Sequence, residues 1–354
     1  MEGDAYFSFK QIVDYAVDME LPIIAAGDLI DKQKNESRVV SFLSEQIKRL
    51  EDAEVDLLYI QGQHELQPHT PWLSAISSHP WHLHNETMHL EGINFMGFDW
   101  SPPELVAENL KAVPSDIDVL VMHQVTQEWM GGIAPAELCF SQVPYARALI
   151  IGDYHEISGT ESHRGAQGQD LTVLSPGSTC LQSISEPRKK SCYLLHSDLT
   201  FEALPIRTRS VLAPGELSMP EQLDAFVENV GHQIESATEK AIAAEYPPEL
   251  HKPILYVKYL SCLEGAYARI DKAVGDKAHL FFKELRPAPT EEQQQERQVR
   301  EAIIENGLLG ALDTAVPDLD STRYNLAYRL LSSKNPREEL TAIREERLRI
   351  GTET

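Results

Sequence analysis

Basic residues are scarce in this 354-residue chain: 31 lysines and arginines stand against 55 aspartates and glutamates, a formal charge of -24. A surface of that sign excludes a protein that coats nucleic acid electrostatically, and leaves contact with DNA to local basic patches, bound metals or a partner. Cysteine is also sparse. Cys139, Cys180, Cys192 and Cys262 show no C-x-x-C spacing, so neither a zinc knuckle nor a disulfide scaffold is indicated. No apolar run approaches the roughly 20 residues that a membrane-spanning helix needs, and no membrane partner is expected. The start, Met1-Glu2-Gly3-Asp4, is acidic where a secretory signal is basic, and a reducing cytoplasm is the expected location. Ser175 and Ser178 lack a nucleophile-elbow setting, and no Asp–His pair is spaced to support a serine hydrolase.

What is present is a set of short apolar runs, each ending at once in groups that can bind a metal. Pro22 to Ala26 runs into Gly27-Asp28-Leu29-Ile30-Asp31, and Val55 to Ile60 into Gly62-Gln63-His64-Glu65. Asp118 to Met122 leads to His123-Gln124, and Ala146 to Ile151 to Gly152-Asp153-Tyr154-His155-Glu156. Runs of this length read as buried strands, and α/β folds place ligands at the carboxyl ends of such strands. A carboxylate there suits a hard divalent cation, and a glycine lets backbone and ligand approach closely. Any one Gly-Asp or strand-end histidine is more often a turn cap or a hydrogen-bonded structural residue. Four such strand ends in order are hard to dismiss.

This ordered set resembles the calcineurin-like metallophosphoesterases, whose motifs run D-x-H, G-D-x-x-D, G-N-H-[DE], a lone His, then G-H-x-H. Gly27 to Asp31 matches the second motif completely, and Gly62 to Glu65 matches the third except at Gln63. Within that superfamily the chain is most similar to the DNA-repair nuclease subunit of the SbcCD complex, phage-encoded members included. The His123-Gln124 pair and Ser175-Pro176-Gly177-Ser178, leading into a charged loop and the strand Cys192 to Leu195, carry that likeness. The resemblance covers most of residues 1–290. It implies a four-layer α/β fold, two mixed sheets flanked by helices, with a small α/β capping domain and a helical tail. The expected divisions are 1–205 for the nuclease domain without its first strand, 206–288 for the cap and 289–354 for the tail.

Local pattern supports that outline. Phe7, Ile12, Val13, Ala16 and Val17 make one helical apolar face, and Val39, Val40, Leu43, Ile47 and Leu50 another. Short helices are expected over 71–78 and 102–112, and strands over 82–84 and 89–98 with Gly92 at the turn. Strands over 171–174, 192–195 and 201–204 are expected to close a second sheet. A helix over 220–244 and strands over 253–260 and 278–285 make up the cap. His79, His82, His84 and His89 follow no ligand spacing and read as surface or strand residues. In the tail, Thr290-Glu291-Glu292-Gln293 and Asn335-Pro336-Arg337-Glu338 are helix starts, while Asn306-Gly307 is a helix end. The tail either packs on the cap or docks a partner's helix.

The resemblance implies phosphodiester hydrolysis by two bridged divalent metals, manganese or magnesium, on DNA, beside an SbcC-like coiled-coil ATPase in a homodimeric complex. It makes Asp28 the bridging carboxylate. Gln63, His123 and Asp153 complete the second metal site, His155 binds the first metal, and His64 is the catalytic histidine beside the scissile phosphate. Asp31 is expected to cap a turn or support the ligands from behind. Arg188, Lys189, Lys190, Arg207 and Arg209 form a basic group that reads either as a solvated turn or as a phosphate track. Gln63 stands where the pattern has Asn, and Asp153 where it has His, which hardens the site toward manganese or magnesium over zinc. The first motif, D-x-H, is missing from residues 1–27, leaving the first metal only Asp28 and His155. A non-catalytic structural subunit and a phosphoesterase of non-DNA substrates are the rival readings. The expectation is that Met1 is not the natural beginning of the working enzyme. Translating the DNA immediately upstream should reveal an apolar strand ending in Asp-x-His, and adding it should raise activity. Upstream sequence without that motif, together with full activity of the 354 residues alone, would refute this.

Overall fold

Alternation along four short strands decides the architecture. The computed structural model describes residues 3–285 except 33–34, 68, 131–135 and 261–264, together with 326–327, 329–330 and 341–342. The expected tail helices over 290–306 and from 335 lie outside the described residues, apart from 341–342. In chain order the elements begin with α1 (Asp4–Met19), β1 (Ile23–Ala26), α2 (Ser37–Asp52), β2 (Leu57–Ile60), α3 (Trp72–Ile76) and β3 (Trp81–His82). They continue with β4 (Thr87–Leu90), β5 (Ile93–Phe98), α4 (Pro103–Lys111), β6 (Val119–His123), α5 (Gln127–Met130) and β7 (Ala148–Gly152). After these come β8 (Gly159–Arg164), β9 (Asp170–Ser175), β10 (Lys190–Leu195), β11 (Phe201–Ile206), β12 (Val211–Leu212) and β13 (Glu216–Leu217). The last are α6 (Leu223–Ala243), β14 (Ile254–Leu260), α7 (Ala266–Val274) and β15 (His279–Leu285).

β1, β2 and β3 form a parallel three-stranded sheet in that order. A second sheet runs β4-β5-β6-β7-β9-β8, parallel from β5 to β9 with antiparallel strands at both edges. Side chains alternate across a strand, so each strand supplies two cores. Leu58, Ile60, Phe95, Val119, Val121, Ala148 and Ile150 meet in the layer between the sheets. Their neighbours Leu57 and Tyr59 turn outward to meet Val13, Leu43, Ile47 and Leu50 of α1 and α2. On the far face Met96, Phe98, Leu120, Met122, Leu149 and Ile151 pack against Val106 and Leu110 of α4. The result is helices, sheet, sheet, helix: a four-layer α/β fold, as the resemblance implied.

One local expectation is corrected. β9 belongs to the six-stranded sheet because its alternate residues Leu171 and Val173 fill the α4-side core, and β10 pairs only with β11 as a separate antiparallel ribbon. β8, polar and exposed along most of its length, gave no periodic signal and pairs with β9 as an edge strand.

The described chain divides into two compact units, one of Met1–Gly215, Asp224–Val257 and Ala268–Phe281, the other of Glu216–Leu223, Lys258–Tyr267 and Phe282–Thr354. In the second, β13 pairs with the end of β14 through Glu216–Lys258 and Leu217–Tyr259, and Phe282 packs on the Tyr259 and Tyr267 rings. In the first, the start of α1 is held by a buried ion pair. Arg209 directs Nε and Nη2 at the Asp4 carboxylate over 2.8–3.1 Å, and Nη1 donates to the carbonyls of Glu249 and Lys252.

Removing one member of a buried pair strands the other without solvent. Arg209→Ala should therefore cost about 3–5 kcal/mol, with Asp4→Leu/Arg209→Met losing much less, as read by urea denaturation. A loss below about 1 kcal/mol, the range of exposed pairs, would show that the pair is solvated.

Candidate metal centre

Asp28 follows β1, Gln63 follows β2, His123 ends β6 and Asp153 follows β7, so all four emerge at the carboxyl edge shared by the two sheets. One donor atom from each of Asp28, His123 and Asp153 lies within 4.8 Å of the others. The backbone is bent to achieve this: Asp28 has φ 51° and Asp153 φ 84°, left-handed conformations that cost non-glycine residues about 1–3 kcal/mol each. Neighbouring glycines make room. A Cβ on Gly152 would sit 2.0 Å from the Ala26 carbonyl and 2.4 Å from His123 Nδ1, and one on Gly62 would sit 2.0 Å from Asp28 Oδ1.

The imidazole of His123 is buried and its orientation is set from behind. Nδ1 lies 2.7 Å from the Ala26 carbonyl, an acceptor only, so Nδ1 carries the hydrogen and donates. Nε2 is thereby aimed between the carboxylates, 3.2 Å from Asp28 Oδ2 and 3.6 Å from Asp153 Oδ1, with no hydrogen bond of its own. The Gln63 amide nitrogen donates to Asp153 Oδ1 at 2.6 Å, and its Oε1 is buried without a partner. Burial opposes a charge on His123, but Asp153 and Asp28 outweigh it and push the pKa up to about 10. Asp153 is in turn held below the usual carboxylate range, its burial overcome by His123 and Gln63.

A buried imidazole nitrogen without a hydrogen bond, facing two carboxylates in a cradle kept clear by glycine, fits a divalent cation. Asp28, Gln63, His123 and Asp153 would hold it. Two carboxylate oxygens, an amide oxygen and one imidazole are ligand types that a divalent cation accepts.

The remaining predicted residues are dispersed. His64 is exposed beside the cluster; its backbone N–H donates to Asp28 Oδ1 at 3.1 Å, and its ring lies 3.9 Å from Asp28 Oδ2. His155 is outside the cluster, 46% exposed, with Nδ1 3.6 Å from Glu186 Oε1. Asp31 is exposed and also outside it. The basic group needs correction, because two of its five charges are internal. Lys190 is buried, donating to Glu186 and Ser178, and Arg209 is buried against Asp4. Arg207 lies over the Phe7 and Tyr246 rings and donates to the Ala244 carbonyl, and like Arg188 and Lys189 it is exposed.

Sequence reasoning assigned no role to several residues behind the site. Glu65 is buried and accepts the backbone N–H groups of Leu29, Ile30 and Gly62, tying the two ligand loops together. Burial, helped by Asp28, raises its pKa to about 7 against the pull of those N–H groups. Asp99, also buried, accepts from the Gln61 backbone and side chain and from His82, and Gln61 Oε1 takes the Gln67 N–H. The stretch 61–67 is thus closed at its base. His82, read as an ordinary strand residue, is part of that clasp and stacks between Tyr59 and His84. Glu137 accepts from Val125 N–H at 2.9 Å, two residues beyond His123. Its pKa is raised by burial and by the Asp153 charge. Nothing in its surroundings in the chain marked it.

No family model matches the sequence, and no curated protein does. Among solved structures the chain is similar to a novel archaeal phosphodiesterase, at 12% identity and a TM-score of 0.33, over 56% of this chain and 92% of that one. A second solved structure is matched at 9% identity and a TM-score of 0.32, over 56% of this chain and 77% of that one.

The raised His123 pKa has a definite sign. A histidine at about 10 when folded and 6.5 when unfolded adds stability in full below pH 6.5, and that stability is lost as pH rises toward 10. The metal-free chain should therefore weaken between about pH 7 and 9, and Asp153→Asn should flatten that slope. Denaturation midpoints in chelator across this range check it; a wild type that is flat or rising would contradict the assignment.

Proposed function

We propose that this chain is a metal-dependent phosphodiesterase, the nuclease subunit of an SbcCD-like complex. It hydrolyses DNA with manganese and works as a homodimer beside a coiled-coil ATPase. The observation that carries the reading is the buried Nε2 of His123 between Asp28 and Asp153, without a hydrogen bond, with Gln63 Oε1 also lacking one. The motif order read from the sequence and the four-layer fold support it. When bound, the cation neutralises phosphate charge and supplies hydroxide near neutral pH.

The protein's own contributions follow from the geometry. Asp28 and Asp153 arrive in strained, pre-set conformations, so little reorganisation accompanies ligation. Ala26 holds His123 in the tautomer that leaves Nε2 for the ion. His64, exposed at the rim and fixed through its backbone to Asp28, would give a proton to the leaving oxygen. Arg188, Lys189 and Arg207 are the exposed cations of the expected track and would meet flanking phosphates.

One observation favours a second reading, a structural subunit that keeps one ion and no catalysis. Among the described residues only one group of three such ligands is found, enough for a single cation.

One experiment separates the two. Metal analysis after dialysis against manganese should give about one equivalent per chain, falling sharply in Asp28→Ala and His123→Ala. Cleavage of linear DNA should need manganese. His64→Ala should lower it about 10²–10⁴-fold while manganese stays bound and circular dichroism is unchanged. Equal rates for wild type and His64→Ala would reject the nuclease reading, and unchanged metal content in both ligand variants would reject the site.

A further inference from the structure

A groove of about 450 Å³ runs between β12 and α6, and the proposed chemistry does not use it. Ser210 opens its strand wall. On the helix wall stand His232, Gln233, Ser236 and Lys240, spaced one turn apart on one face of α6. No carboxylate lines the groove, in a chain whose formal charge is -24. α6 itself carries Asp224, Glu228, Glu235 and Glu239, and none of the four is in the lining. Among the described residues Lys240 has no ion pair, and the Ser210 and Ser236 hydroxyls make no hydrogen bond. The groove therefore gathers unspent donors where the rest of the surface gathers acids.

Two exposed arginines extend this flank. Arg188 Nη1 donates to the Val211 carbonyl at 3.5 Å, and the Thr208 hydroxyl donates to the Arg188 carbonyl at 3.5 Å. Residue 188 is thus held along the segment that leads into β12. Arg207 Nη1 donates to the Ala244 carbonyl at 3.1 Å, one helical turn beyond Lys240. Arg188 also stands near the metal centre. Ser185 Oγ donates to Glu156 Oε1 at 3.2 Å, and Glu156 follows Asp153 by three residues. The three steps of chain from 185 to 188 span at most about 10 Å.

We infer that the groove between β12 and α6 holds the sugar–phosphate backbone of single-stranded DNA, with the Arg188 end toward the metal centre. This rests on the nuclease reading and adds to it the form of the substrate. A groove free of carboxylates beside Lys240, Arg188 and Arg207 selects a polyanion by charge. Its hydroxyl, amide and ammonium groups are those that meet phosphate and sugar. No aromatic ring lines it, so bases are not stacked there and sequence is not read. A cavity of this size admits one extended strand, whereas a duplex can only lie across its mouth. Binding that depends on backbone charge alone is weak and falls with salt.

The test is fluorescence anisotropy of a labelled oligothymidylate with the full chain, in chelator so that nothing is cut, over a series of salt concentrations. Three or four neutralised phosphates give a slope of log affinity on log salt of about −2 to −3 for a single strand. Lys240→Gln should weaken binding and make that slope shallower by about 0.7. Lys111→Gln, on α4, should change neither. Ser236→Trp fills the groove and should abolish binding; if it fails to fold by circular dichroism, Lys240→Gln alone decides. Unchanged affinity and slope in Lys240→Gln overturn the inference, and so does a duplex of equal length that binds as tightly. Displacement of the oligonucleotide by a polyglutamate peptide of equal charge also overturns it, by making the groove a site for acidic protein segments. Oligonucleotide binding that needs Lys240 in a chain that cuts nothing with manganese keeps the groove and defeats the phosphodiesterase reading. Manganese-dependent cleavage with binding indifferent to Lys240 does the reverse.

Discussion

The hydrogen bond from His123 Nδ1 to the Ala26 carbonyl is the interaction on which the centre depends. It joins the end of β6 in one sheet to the end of β1 in the other. In the same stroke it decides which imidazole nitrogen faces the carboxylates. Gly152 makes this possible by leaving the Ala26 carbonyl and the His123 ring nothing to collide with. Core packing between the sheets brings the strands together, but their hydrophobic layer is indifferent to the angle of any one polar group. The bond supplies that angle.

Around it lies a second tier of buried polar groups that hold loops in place. Glu65 gathers the N–H groups of 29, 30 and 62, and Asp99 gathers Gln61 and His82. Each buried carboxylate is satisfied by several donors, as such groups must be. Their positions explain why a ligand loop as short as 61–65 holds one conformation. Hydrogen bonds from three directions leave the backbone little freedom, and Gln63 and His64 ride on it.

Electrostatics in the first unit follow one theme, negative charge gathered and then answered. Asp28, Asp153, Glu65 and Glu137 influence one another across the carboxyl edge. In the free cluster the proton on His123 is the compensating charge, which is why that pKa rises to about 10. A divalent cation would displace that proton and answer both carboxylates more strongly, so ion affinity and proton affinity compete at one nitrogen. Elsewhere the expected cations serve inward: Lys190 answers Glu186, and Arg209 answers Asp4.

How much of this was legible in the chain follows from the range of the forces. Strand and helix patterns are local, so the alternation of Leu57 to Ile60 and the helical spacing of Leu43, Ile47 and Leu50 could be read directly. Short strand-end motifs are local too, and their resemblance to the family pattern named Asp28, His123 and Asp153 as ligands. The roles of Glu65, Asp99 and Glu137 were not legible, because each takes a donor from a distant part of the chain, 38 residues away for Asp99 and the Gln61 N–H. Whether Lys190 and Arg209 meet solvent or a buried acid was equally invisible, since a lysine or arginine carries the same letter in either place. The sequence by itself determined the helix and strand patterns, and through its motif resemblance it implied the layers and named Asp28, His123 and Asp153. Only the tertiary structure decided which nitrogen of His123 is presented and which charges are spent internally. Those outcomes turn on ångström-scale placement of groups from separate strands, which no periodicity along one strand encodes.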